Sequence, residues 1–179
     1  MGCNGAGESG GLTMATRSRP PAEPKRYLRT LVRQTKHRFL EGQCRIEQAV
    51  FLSDDVVVLL DGRPSTGYIE RGRTTIDSLM LTTPDGWIGC EESSQVEKND
   101  LIICRCVGDW ESEGLLALKS KSTQELVWLL HLESSEEFVS AEISNNHINA
   151  QSGGYPSGWQ WWIPIRTPWL LKVEPIKIT

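Results

Sequence analysis

From about residue 43 onward, apolar residues recur at every second position in short runs, and clusters of turn-forming residues interrupt them at strand spacing. A period of two sends successive side chains to opposite faces of an extended backbone, so this pattern demands half-buried strands rather than helices. "DDVVVLLDG" predicts a buried strand. "LIICRCV" alternates after the turn Glu97-Lys98-Asn99-Asp100, and "GLLALKS" and "ELVWLLHLE" flank a polar turn through Lys121 to Gln124. "FVSAEISNNHINA" sets Val139, Ala141 and Ile143 before an Asn145-Asn146 turn, with Ile148 and Ala150 after it. "SLMLTTPDGWIGC" reads as another hairpin, with Pro84-Asp85-Gly86 at its tip. The expected fold is mainly β: an antiparallel meander or incomplete barrel spanning residues 42–179.

Upstream the period changes. "PKRYLRTLVRQTKHRFLEG" lines up Tyr27, Leu28, Leu31, Val32, Thr35, Phe39 and Leu40 on one helical stripe, with Arg26, Arg29, Arg33, Lys36 and His37 around the rest. Pro24 suits a first turn and Gly42 a stop, which predicts one amphipathic basic helix over residues 25–41, packed on the β domain. Residues 1–24, with five glycines and three prolines, hold too little apolar surface to offset the entropy of ordering and are expected to form a flexible tail.

"SGWQWWIPIRTPWLL" carries four of the seven tryptophans. In a strand, Trp159, Trp161, Ile163 and Ile165 would share one face, and Gln160, Trp162, Pro164 and Arg166 the other. Trp159 and Trp161 are expected in the core, and so is Trp169, in phase with Leu171 and Val173. Pro164 cannot donate to a ladder and points to an edge strand or a bulge. Trp162 is thus the tryptophan expected to face a partner, with Arg166 beside it.

Charge separates the two parts of the chain. Residues 1–45 hold nine Lys/Arg against three Asp/Glu (+6), and residues 46–179 hold ten against twenty (−10). An acidic body repels nucleic acid and favours a basic protein partner, while the N-terminal segment does the reverse. "GDWESEG", with Asp109, Trp110, Glu111 and Glu113, joins "EESSQVE" and "ESSEE" as three acidic clusters expected on strand connections, where they could line one face. No apolar run is long enough to span a bilayer, and the five cysteines are an odd number without an export signal. Reduced thiols and a cytoplasmic location are therefore expected.

Catalytic and metal signatures are weak. Cys104 and Cys106 share a strand face, and Cys90 and His131 on neighbouring strands would complete four zinc ligands, but the spacing lacks the C-x2-C turns that wrap the ion. Buried inert thiols and no cofactor are the expectation. The Asp109, Glu111, Glu113 alternation lacks the ligand order of a calcium loop. "GRPSTG" is followed by Tyr68 rather than Lys-Ser/Thr, which rules out a phosphate-binding loop. None of His37, His131 and His147 stands near a nucleophile in an elbow context.

"EGLLALKSKSTQELVWLLHL", from Glu113 to Leu132, resembles one blade repeat of quinoprotein-type β-propellers through Gly114, Leu118 and Trp128. No second copy is visible, so the resemblance implies a hairpin and no cofactor. Taken together, the sequence predicts a non-enzymatic protein-binding module similar to immunity proteins that occlude a basic partner. It would bind through Trp162, Arg166, Asp109, Trp110, Glu111 and Glu113. The alternatives are nucleic-acid or anionic-surface binding through Arg26, Arg29, Arg33 and Lys36, and, third, an uncharacterised enzyme.

Overall fold

Turns fall where glycine and asparagine allow left-handed backbone: Asn99 and Asn145 adopt φ of 56° and 51° at two hairpin tips. A computed structural model describes residues 39, 42–45, 47–108, 113–133, 135–153 and 157–176. The described elements, in chain order, are β1 (Gln43–Arg45), β2 (Ala49–Leu52), β3 (Val56–Arg63), β4 (Gly67–Thr75), α1 (Ile76–Thr82), β5 (Trp87–Lys98), β6 (Leu101–Gly108) and β7 (Gly114–Ser120). There follow β8 (Leu126–Leu132), β9 (Phe138–Ser144), β10 (His147–Ser152), β11 (Trp159–Pro164), a 3-10 turn (Pro168–Leu170) and β12 (Lys172–Pro175).

The protein is mainly β; the described residues form two antiparallel sheets and no closed barrel. One sheet has eight strands in the order β1-β5-β6-β7-β8-β2-β3-β4, and the other has four in the order β12-β11-β10-β9. Meanders run through β5 to β8 and through β9 to β12. The non-local pairing of β2 with β8 joins the first meander to β3 and β4. Among the described residues no helix is long and apolar enough to cross a membrane.

Central strands of the large sheet are buried on both faces, which is why β7 and β8 read as almost unbroken apolar runs. Leu116, Leu118, Trp128 and Leu130 meet Ile143, Ile148, Trp161 and Ile163 of the small sheet in one core. Leu115, Ala117 and Leu129 point the other way, into a second core with Cys44, Cys90, Cys104, Cys106, Ile76, Leu79 and Phe39. The N-terminal helix expected over residues 25–41 lies outside the described residues except for Phe39, which is buried. The 1–24 tail lies outside them entirely.

Three local expectations are corrected. The segment read as the first arm of a hairpin is helix α1: Thr75 caps it by accepting from the Ser78 amide at 3.2 Å, and Ile76 and Leu79, one turn apart, bury against the second core. Val139 is 51% exposed, because a bulge opposite Gln151 and Ser152 pushes it out of phase and Phe138 takes the inward position. Pro164 sits on an inner strand rather than an edge. It closes β11, beyond the last β12 partner at Trp162 and Lys172, where its missing N–H breaks no ladder bond on that side.

Candidate functional site

The two faces of the small sheet have opposite characters. Trp161 is fully buried, its indole N–H donating to Ser152 Oγ at 2.9 Å and its ring packed 5.7 Å from Tyr68 and 5.5 Å from Phe138. Trp162, one residue on, turns outward and is only half-buried. Register defines its neighbours: Trp162 stands opposite Asn149 and Lys172, and Asn149 opposite Glu142. The next row is Ser140, Gln151, Gln160 and Glu174, and on the other side His147 pairs with Ser144 and Pro164.

Around Trp162 the surface dips into an open depression of about 480 Å³. It is walled by Asn145, His147, Asn149 and Pro164 on one side and by Leu170, Lys172 and Glu174 on the other. That size is in the range of small-ligand sites. A second, polar hollow of about 350 Å³ continues past Asn149 over Glu142, Gln151 and Gln160. Leu170, from the 3-10 turn, is 59% exposed beside the indole.

The other expected site residues disperse. Arg166 is exposed in the bend after β11 and does not line the depression. Asp109, Trp110 and Glu111 lie outside the described residues, as do Arg26, Arg29, Arg33 and Lys36. Glu113 is buried, with its Oε1 3.7 Å from His131 Nε2. Its carboxylate occupies the space a side chain on Gly108 would need, since a Cβ there would stand 2.3 Å from Glu113 Oε2. "EESSQVE" is not a connection but part of β5, where Glu92 pairs with Lys119.

Cys90, Cys104 and Cys106 share the second core, and His131 is paired with Ala49 and Leu115 of that core. Among the described residues, however, no group of three or more His, Cys, Asp or Glu side chains is placed to hold a metal ion. The Cys44 thiol is pushed up by its hydrogen bond with the Cys90 thiol and by burial. Burial alone raises Cys104 to about 11. Such thiols are poor nucleophiles and poor metal ligands. His131 is fully buried, with Nδ1 3.0 Å from the Glu47 carbonyl, and burial lowers its pKa against the opposing pull of that bond. An imidazole sealed in this way is out of a substrate's reach.

Sequence reasoning singled out Trp162 but missed the residues that frame it. His147, Asn149 and Gln151 alternate with the buried Ile148 and Ala150, a signal present in the sequence but indistinguishable from ordinary solvated positions until the register sets them against Trp162. No known protein family, curated protein or solved structure matches the chain.

Proposed function

We propose that this protein is a non-enzymatic binding module whose ligand surface is the outer face of the small sheet, centred on Trp162. One observation carries the reading: a half-buried indole sits in the floor of an open depression, surrounded by polar side chains from three strands. Aromatic rings left in this position supply large apolar area at low entropic cost, which is why they are enriched at binding hot spots. Its neighbour Trp161 already serves the core, so Trp162 is not needed there.

A protein partner on the same face is the second reading, and the strip of Trp162, Pro164 and exposed Leu170 favours it, since an apolar centre with a polar rim is the usual anatomy of such interfaces. Nucleic-acid binding would have to come from Arg26, Arg29, Arg33 and Lys36, because the depression itself contributes Lys172 alongside Glu174.

The test is affinity capture by the immobilised full chain and by two folded variants. Trp162→Ala should weaken capture by about 2 kcal/mol, the usual scale of a hot-spot truncation. Leu81→Ala, at an 86% exposed position on α1, should leave it unchanged. Equal capture by all three chains would refute the assignment.

A further inference from the structure

The polar floor beside Trp162 is held in place by its own hydrogen bonds. Ser140 Oγ donates to Gln151 Oε1 at 3.4 Å, Gln151 Nε2 donates to Gln160 Oε1 at 3.0 Å, and Gln160 Nε2 donates to the Ala150 carbonyl at 3.0 Å. The chain runs across three strands and holds both amides in place. A glutamine amide has two N–H donors and an oxygen with two lone pairs, so Gln151 keeps one of each after these bonds are made, while Gln160, whose Nε2 also donates to the Trp161 carbonyl at 3.5 Å, keeps acceptor capacity alone. Rotamers already ordered in the free protein cost little to order again on binding.

The groove therefore offers one aromatic plate, a fixed row of mixed donors and acceptors beside it, and charges that nearly offset one another, Glu142 and Glu174 against Lys172. An anionic ligand such as a nucleotide would want an excess of cations, which this lining does not supply. A lipid surface would want a wide apolar patch, and the plate is one ring with Pro164 and Leu170 at its side. A peptide joining as an added strand would need free edge groups. At β9, one of the two edges of this sheet, two carbonyls are already engaged: Ile143 accepts from Lys98 Nζ at 2.9 Å, and Phe138 accepts from Arg105 Nη1 at 3.2 Å. The other edge, β12, lies one strand away from Trp162, and a peptide added there would not use the indole or the glutamine row.

We propose that this groove binds a neutral oligosaccharide. A sugar ring has an apolar C–H face that stacks on an indole and a rim of hydroxyls that both donate and accept, which is the complement of what the groove presents. Trp162 would carry one ring, and Gln151, Gln160 and Asn149 the hydroxyls of the next. The proposal rests on the reading of this face as the ligand surface.

The test is a titration of the full chain, labelled with nitrogen-15, with a panel of uncharged gluco-, manno-, galacto- and N-acetylglucosamine oligosaccharides at millimolar concentration. The Trp162 indole resonance would be assigned by its loss in Trp162→Phe. At least one oligosaccharide should shift that resonance saturably. Trp162→Ala should weaken its binding by about tenfold or more, Gln160→Ala by about threefold to tenfold, and Trp162→Phe should retain most of it. If no sugar moves the resonance while capture still depends on Trp162, the oligosaccharide is wrong and a protein occupies the face. If capture is also indifferent to Trp162→Ala, both proposals fall.

Discussion

Replacing Trp161 by alanine should cost far more stability than replacing Trp162, although the two residues are adjacent and chemically identical. Trp161 has no exposed surface, sits between Tyr68 and Phe138, and donates its indole N–H to Ser152, which is itself fully buried. Truncating a buried aromatic costs roughly 3–5 kcal/mol, and stranding the Ser152 hydroxyl adds about 1 kcal/mol or more. The expected loss is about 5 kcal/mol, a drop in Tm on the order of 10–20 °C for a domain of this size. Urea unfolding followed by far-UV circular dichroism measures it. Ser152→Ala in the Trp161→Ala background should cost nothing further, since the hydroxyl has already lost its partner. Trp162→Ala should lose less than about 1.5 kcal/mol, because a half-buried ring on a polar face forfeits little packing. Equal losses at the two positions would show that the alternation assigned to β11 is wrong.

Gly114→Ala should be severely destabilising, on the order of 3 kcal/mol or more, because a Cβ there would stand 1.9 Å from Ser135 Oγ and 3.1 Å from the Glu136 carbonyl; thermal melts comparable to wild type would refute it. Stability should fall as pH drops below 6.5, the ordinary value for histidine, because burial lowers His131 in the folded state and the unfolded chain takes up the proton first. Urea midpoints at two pH values, with His131→Gln flattening the difference, check that sign. Val139→Thr should change stability by less than about 0.5 kcal/mol, since the bulge already places that side chain in solvent.

Much of this fold was legible because local chemistry and tertiary structure agree. The alternation in "WQWWIPI" places Trp161 and Ile163 inward, and Asn145 takes the left-handed conformation that its hairpin requires. Where they diverge, a non-local term decides. α1 looks strand-like until Thr75 is seen to cap it and the second core is there to bury Ile76 and Leu79. Pairing of β2 with β8 joins residues far apart in sequence and leaves no local mark. The candidate site was half legible. Trp162 stands out as an aromatic on the polar side of a strand, whereas Asn149, Gln151 and Gln160 acquire meaning only once the register lays three strands side by side.

The central claim, that the outer face of the small sheet is the ligand surface, is tested most directly by photocrosslinking. A photoreactive amino acid at Asn149, in the wall of the depression, is compared with the same amino acid at Leu81 on α1. The ligand face predicts an adduct from Asn149 that disappears when Trp162→Ala is added, and none from Leu81. An adduct from Leu81 and none from Asn149 would place the binding surface elsewhere and contradict the account.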